Sequence, residues 1–97
     1  MIVNERETKE GLLVSVCDDD VLGETFEEGQ ISLTVNEEFY GGDEVDEDSA
    51  VDSLRRASVA NIVGKRSVDV AVEAGIIDEA SVLAIEDTLH AQLLRLG

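Results

Sequence analysis

Hydrophobic positions in the first half of the chain predict β-strands. The apolar run at residues 12–17 is short and rich in branched side chains, which is typical of a central strand. Ile2 and its neighbour are expected to pair with this run across a turn near Thr8. Residues 30–35 alternate between apolar and polar side chains, so they predict a half-buried strand with its apolar face inward. Residues 18–29 show no clean period and are interpreted as a long ordered loop or a single helical turn.

The second half of the chain predicts helices. Asp46 is expected to cap a helix that runs to about residue 63, because apolar side chains recur on one helical face of this stretch. Gly64 is expected to end that helix, and residues 66–74 then predict a second helix that ends at Gly75. The two helices are therefore expected to form a tight pair.

The C-terminal segment, residues 79–96, has two interpretations. Good helix formers throughout favour one helix. Two apolar stretches on either side of the triplet Glu86-Asp87-Thr88 instead favour a hairpin. A chain of 97 residues builds a single core, so we expect one domain over residues 1–97. The predicted class is α+β, with a small, mostly antiparallel sheet of about four to five strands and a two-helix pair on one face.

Charge is distributed very unevenly along the chain. The net charge of −16 arises from 23 acids against 7 bases, and residues 18–48 contain 13 of the acids and no base. Apolar residues interrupt this stretch throughout, so it is interpreted as folded structure with an acidic solvent face. Abundant acids with only two lysines are typical of a protein from a very salty cytoplasm, where salt screens the self-repulsion.

Several classes of chemistry are excluded or weakly supported. Cys17 is the single cysteine and cannot form an intramolecular disulfide, and one cysteine with one histidine cannot make a zinc site of four N/S ligands. An EF-hand pattern starting at Asp18 fails at its fifth and twelfth positions, which are Leu22 and Gly29. Asp18, Asp19 and Asp20 are more simply a solvated turn, with weak Mg²⁺ binding by this carboxylate cluster as the alternative. No metal and no cofactor are predicted. The apolar runs are too short to span a bilayer and the N-terminal stretch has no signal core, so a cytoplasmic location without a membrane partner is expected.

Five sequence words are specific in combination: C-D-D-D-V-L-G-E-T-F-E-E-G at residues 17–29, E-E-F-Y-G-G at 37–42, A-N-I-V-G at 60–64, A-G-I-I-D at 74–78 and H-A-Q at 90–92. Together they resemble the archaeal family numbered 424 among the domains of unknown function, over nearly the whole chain. The resemblance implies an archaeal cytoplasmic protein with a compact α+β fold, here in an acid-rich, halophilic version. It also favours the C-terminal hairpin. The family implies no activity, so function has to be argued from the residues.

Cys17, Asp18 and His90 are the candidate residues of a small cysteine enzyme. A thiolate nucleophile needs a base within hydrogen-bond distance and a lowered thiol pKa. The acids that follow Cys17 should raise its pKa instead, and a free cysteine at the end of an apolar strand is usually a buried hydrophobe. An enzyme is therefore the alternative that the sequence supports least.

A basic quartet, Arg55, Arg56, Lys65 and Arg66, contains four of the seven bases and falls around the predicted corner between the two helices. If the helices pack antiparallel, these residues contribute to one face, which in an acidic protein indicates contact with a phosphate backbone. Tyr40 is a candidate ring for stacking on a base. The alternative for the quartet is intramolecular ion pairing with nearby acids.

These observations favour a non-catalytic RNA- or ribosome-associated accessory module in archaeal translation or RNA processing. Its weakness is the net charge of −16, which repels phosphates. The first alternative is a protein-interaction adaptor that uses the acidic segment 43–48 or an uncovered strand edge. An open edge or an exposed apolar patch in the structure would favour this adaptor. The second alternative is the small Cys/His enzyme.

Overall fold

A computed structural model describes residues 1–95. The eight strands are β1 (Ile2–Thr8), β2 (Gly11–Cys17), β3 (Thr25–Glu28), β4 (Ile31–Thr34), β5 (Asp43–Glu44), β6 (Val59–Val63), β7 (Leu83–Ile85) and β8 (Thr88–Leu94). The three α-helices are α1 (Glu37–Tyr40), α2 (Glu47–Arg56) and α3 (Lys65–Glu73). Single turns of 3₁₀ helix are formed by Asp19–Val21 and Glu79–Ser81. Within the described residues, no helix is long and apolar enough to cross a membrane.

The predicted α+β class is confirmed, but the sheet is larger than predicted. Six strands form one mixed sheet in the order β5-β1-β2-β6-β8-β7, and β3 with β4 forms a separate two-stranded sheet. The central pair β2 and β6 is parallel, and the other neighbouring strands are antiparallel. The parallel pair arises because α2 lies on the connection from β2 to β6.

The predicted pairing at the N-terminus is confirmed. β1 and β2 form an antiparallel hairpin in which Thr8 is opposite Gly11. The stretch at residues 18–29 was expected to lack strands, yet β3 forms there and pairs with β4, with Phe26 opposite Leu33. The strand was missed because its residues, T-F-E-E, carry a single apolar side chain and depend on β4 for their conformation.

The long helix predicted from Asp46 to residue 63 is wrong in its second half. Asp46 does cap α2, since its Oδ1 accepts a hydrogen bond from the Ser49 N–H at 2.9 Å. The helix ends at Arg56, and Val59–Val63 forms β6 in the middle of the sheet. A strand that is apolar on both faces looks like a buried helix segment in its hydrophobic pattern, which explains the error.

The second helix is confirmed, and its C-terminal end is followed by Gly75 with φ +74°. α2 and α3 pack on one face of the large sheet, but they run in the same direction. At their starts the Arg66 guanidinium lies 3.2 Å from the Glu47 carboxylate. At their ends the Arg55 guanidinium donates to the carbonyl of Ala74, just beyond α3.

Each face of the sheet has its own apolar cluster. α2 and α3 cover one face, where Leu54 and Val68 are buried against Val14 and Ile62. On the opposite face, α1 and the β3–β4 hairpin cover a smaller cluster that contains Cys17, Val21, Val35, Tyr40 and Val63. This second cluster fixes the β3–β4 hairpin against the end of the sheet.

The described part of the C-terminal segment, residues 79–95, contains the hairpin that the resemblance favoured, and residue 96 of that prediction lies outside the described residues. β7 and β8 are joined by Glu86 and Asp87, and Ile85 is opposite Thr88. Glu86 has φ +52°, which suits a two-residue hairpin turn. No other non-glycine residue in the described part of the chain has a positive φ.

Candidate functional site

The four bases predicted to bind nucleic acid lie in two separate places. Arg55 and Arg56 are in the last turn of α2, whereas Lys65 and Arg66 begin α3. Because the two helices run in the same direction, the two pairs lie at opposite ends of the helix layer. Along the helix axis the two pairs of bases are about 12 Å apart, which is the rise of eight helical residues. The predicted single basic face at a helix–helix corner is therefore wrong.

Two of these bases are engaged by acids. Arg56 contacts Glu5 at 2.6 Å and Asp52 at 3.1 Å, and Arg66 contacts Glu47 at 3.2 Å. Hydrogen bonds from Ser53 and Arg56 hold the pKa of the Glu5 carboxyl below its usual range. The ion-pairing alternative describes Arg56 and Arg66 correctly.

Tyr40 is not available for stacking. Its side chain is buried at 4% exposure, and its ring meets the Phe39 ring edge-on with the centroids 5.1 Å apart. Burial raises the pKa of the Tyr40 hydroxyl to about 12. The prediction of Tyr40 as a nucleotide platform is therefore wrong, because the ring is part of the apolar cluster beneath α1.

The three enzyme candidates do not form a nucleophilic site. Val63 is opposite both Cys17 and His90 in neighbouring strands, so it stands between them in the sheet. Two strand spacings, about 10 Å, separate Cys17 from His90. Burial, together with Asp18 and Asp19, raises the pKa of the Cys17 thiol to about 11, and burial lowers the pKa of His90. The thiol is thus held in its unreactive form.

Cys17 should resist alkylation in the native protein. Its side chain is fully buried and its thiol pKa is about 11, so iodoacetamide at about pH 8 should modify it only when urea unfolds the protein. Because the folded pKa lies above the ordinary value of 9.0, Cys17 contributes stability below about pH 9 that is lost as the pH rises through 11. Mass spectrometry of the alkylated protein measures this protection. Rapid modification without urea would show that Cys17 is accessible.

Asp18 has a structural role at the start of α3. Its carboxylate accepts hydrogen bonds from the N–H groups of Arg66 and Ser67, at 3.1 and 2.8 Å, and from the Ser67 hydroxyl at 2.6 Å. Residues 64–67 directly follow β6, although a preceding helix was predicted. The N-terminus of a helix favours an anion, and at α3 the Asp18 carboxylate is the anion that accepts from the backbone.

The acidic segment predicted as a docking element is largely built into the fold. Asp43 and Glu44 form β5 at the sheet edge, Asp46 caps α2, and Glu47 pairs with Arg66. No group of three or more His, Cys, Asp or Glu residues within residues 1–95 is placed to hold a metal ion.

The β3–β4 hairpin has one covered edge. The Glu86 carboxylate accepts a hydrogen bond from the N–H of Glu27, and the Glu28 carboxylate accepts one from the N–H of Glu86 at 2.8 Å. This reciprocal pair joins β3 to the β7–β8 turn. The backbone on the outer side of β3 is therefore engaged by the rest of the molecule.

The other edge of the hairpin, along β4, is open in the part of the chain that the structure describes. The N–H of Val35 donates to the carbonyl of Glu24 at 2.9 Å. Bonded and non-bonded pairs alternate in an antiparallel ladder, so Leu33 and Ile31 also bond to β3. The N–H and C=O groups of Ser32 and Thr34 must then point away from β3. They form an edge on which another strand can be built.

The chemistry of this edge is unusual for the protein. β4 reads I-S-L-T and carries no charge, in a chain of which 31% is charged. Ile31 is 46% exposed, although the sequence predicted it on a buried face. Five acids flank the strand. Glu24 immediately precedes β3, Glu27 and Glu28 belong to β3, and Glu37 and Glu38 begin α1. The strand was recognised from its period, but its open edge had no signal in the sequence because edge status depends on the tertiary arrangement.

Taken together, these elements form a small α+β domain in which Cys17 and His90 are held apart by the intervening strand β6. The chain belongs to the family described as Protein of unknown function (DUF424), whose model matches residues 5–96, and this confirms the resemblance to family 424. Its fold is similar to that of a solved structure described as an uncharacterized conserved protein from Methanopyrus kandleri. The two are 25% identical, with 99% of this chain and 94% of that chain covered and a TM-score of 0.80. No curated protein matches.

Proposed function

We propose that the protein is a non-catalytic adaptor that binds an extended, positively charged segment of a partner protein by adding it as a strand to β4. The observation that carries this proposal is the difference between the two edges of one hairpin. Glu86 and Glu28 engage the edge at β3, whereas the edge at β4 is uncharged and open in the described residues.

Strand addition gives affinity through the backbone. A segment beside β4 would accept hydrogen bonds from the N–H groups of Ser32 and Thr34 and donate to their carbonyls. Natural proteins usually block such edges with lysine, proline, bulges or a covering element. β4 has no lysine and no proline, so its open edge is consistent with use as a binding surface.

Charge complementarity indicates the kind of partner. The acids around the hairpin favour a segment that carries lysine or arginine. A second copy of this chain would bring the same acids to the edge, together with its own net charge of −16, so self-association is disfavoured.

Association with RNA or the ribosome remains a prediction from the sequence, as does an archaeal, halophilic and cytoplasmic origin. The separation of the basic quartet and the burial of Tyr40 weaken direct RNA contact. A ribosomal location fits the adaptor if the positively charged segment belongs to a protein that itself binds RNA.

The decisive variant is Ser32→Pro, since proline removes the outward N–H of residue 32 and leaves the bonds between β3 and β4 intact. Ser32→Ala is the matched control, because it removes the hydroxyl and keeps the N–H. Tagged wild-type and variant proteins are used for capture from source lysate at native salt, before and after ribonuclease treatment. The captured protein is then identified and its binding measured with purified components.

The adaptor predicts a stoichiometric protein partner that survives ribonuclease, binds wild type and Ser32→Ala equally, and binds Ser32→Pro at least about tenfold more weakly. Capture of RNA that is lost in the double variant Arg55→Glu, Arg66→Glu would overturn the adaptor and support RNA binding. Equal binding by Ser32→Pro would also contradict strand addition. Circular dichroism checks that both Ser32 variants are folded.

A further inference from the structure

A groove runs along the side of α3 that faces away from α2, on the sheet face opposite the β3–β4 hairpin. It has a volume of about 560 Å³. α3 forms one wall, and the 3₁₀ turn with the residue that follows it forms the other. The apolar lining consists of Val68, Val72, Val82 and Leu89. Val68 is buried and the other three are half-buried, so the groove presents apolar surface to solvent.

The groove lies where the helix layer of the sheet ends. α2 packs against β1 and β2, and α3 packs against β6 and β8, so each helix covers about two strands. β7 is the next strand and forms the edge of the sheet. Ala84 of β7 is opposite Leu89 and shares its face, yet Ala84 is exposed. Within residues 1–95, the helix layer therefore stops one strand short of the sheet edge, beside this groove.

Three acids line the same groove, two on α3 and one on the opposite wall. Asp69 and Glu73 are one helical turn apart, about 6 Å along the axis of α3, and Glu79 belongs to the 3₁₀ turn. In the described part of the chain, no base lines the groove or forms an ion pair with any of these acids. An apolar stripe with unpaired acids on both sides is complementary to an apolar stripe flanked by lysine or arginine.

We propose that this groove binds an amphipathic α-helix of a partner protein, whose apolar side chains enter the groove and whose basic side chains meet the three acids. The wall formed by α3 favours a helical partner, since bases one turn apart on a helix match the spacing of Asp69 and Glu73. A second copy of this chain would bring a further charge of −16 to these acids, so it is a disfavoured occupant. The inference does not depend on the adaptor proposal, because no residue of β3 or β4 lines the groove.

The probe is a capped, dye-labelled helical peptide of about 18 residues, with leucines along one stripe, lysines on both sides of the stripe and alanines elsewhere. One control peptide has glutamine in place of every lysine. The other keeps the composition and disperses the leucines around the helix. Fluorescence anisotropy gives the affinity for the full chain in about 0.1 M and about 1 M KCl, because the higher salt screens long-range attraction to the net charge. The NMR signals of the Val72, Val82 and Leu89 methyl groups report the site.

One pair of variants tests the apolar floor of the groove. Val72→Ser should weaken binding about tenfold at both salt concentrations, because it removes two methyl groups from the contact. Val70→Ser is the matched control and should leave binding unchanged, since Val70 is a half-buried valine of the same helix that does not line the groove. Circular dichroism checks that both variants are folded.

A second pair of variants tests the acids. The double variant Asp69→Asn, Glu73→Gln should weaken binding severalfold in about 0.1 M KCl and much less in about 1 M KCl. The double variant Glu7→Gln, Glu10→Gln removes the same two charges near the turn between β1 and β2 and should leave binding unchanged. The glutamine peptide should bind wild type severalfold more weakly than the lysine peptide at the lower salt.

Saturable one-to-one binding of the lysine peptide, with losses confined to the groove variants, supports the proposal. It would be overturned by no saturable binding up to millimolar peptide, by equal binding of the peptide with dispersed leucines, or by equal losses in the control variants. Loss of binding in Ser32→Pro would also overturn it, because the peptide would then occupy the edge of β4. Dimers of the free chain that shift the same methyl signals would show that a second copy occupies the groove instead.

Discussion

Replacing Gly64 by alanine is expected to lower the free energy of unfolding by at least about 3 kcal/mol, from backbone strain and lost charged hydrogen bonds together. Gly64 has φ +117°, a conformation that side-chain-bearing residues rarely adopt. A Cβ at this position would lie 2.3 Å from the carboxylate carbon of Asp18. The carboxylate would have to move, and its three hydrogen bonds to Arg66 and Ser67 would be broken.

Gly75→Ala is the matched control for this substitution. Gly75 also has a positive φ, at +74°, but no atom lies within 4 Å of the position of an added Cβ. Its loss of stability should be limited to the strain of about 1–2 kcal/mol. Urea unfolding of both variants measures the difference. Equal losses would show that the contact between Gly64 and Asp18 has no energetic role.

Replacing Arg95 by alanine is expected to lower the free energy of unfolding by about 2 kcal/mol, the upper range for hydrogen bonds that involve a charged group. One guanidinium nitrogen of Arg95 donates to the carbonyls of Leu54, Arg55 and Ala57, at 2.9, 3.1 and 2.8 Å. These carbonyls end α2, where helical partners are missing and a positive charge is favourable. Arg95 therefore caps α2 from the end of β8.

Arg55→Ala is the control for Arg95→Ala because it removes the same kind of side chain from the same region. Arg55 is exposed and donates one long hydrogen bond, at 3.3 Å, to Ala74. Its removal should change the free energy of unfolding by less than about 0.5 kcal/mol. Thermal and urea unfolding compare the two variants. If they are equally destabilising, the cap on α2 contributes nothing.

Local signals in the sequence predicted the elements that local chemistry determines. Asp46, as a capping residue, correctly predicted where α2 begins. The two apolar stretches on either side of Glu86 were the signal for the C-terminal hairpin. The stretch from Val59 to Val63 was assigned to a helix because it is buried on both faces of the sheet. Only the long-range pairing of β6 with β2 and β8 distinguishes it as a strand.

The error over β6 also explains the error over the basic quartet. A helix followed directly by a helix places Arg55 and Lys65 near one corner. The intervening strand reverses the chain, so α3 runs in the direction of α2 and Lys65 begins at the opposite end. The prediction of one basic surface depended on how the two helices are connected, so misassigning β6 made that prediction wrong.

The open edge of β4 could not be predicted for a different reason. It is defined by the absence of a neighbouring strand among the described residues, and this depends on the complete arrangement of the chain. The period of β4 identified a strand but not its missing neighbour.

Amide hydrogen exchange at β4 tests strand addition most directly. In the free protein the amides of Leu33 and Val35 should exchange slowly because they bond to β3, and those of Ser32 and Thr34 should exchange rapidly. With the captured partner segment bound, Ser32 and Thr34 should become as protected as Leu33. Protection of both amides in the free protein, or no change on binding, would contradict the proposed role of the β4 edge.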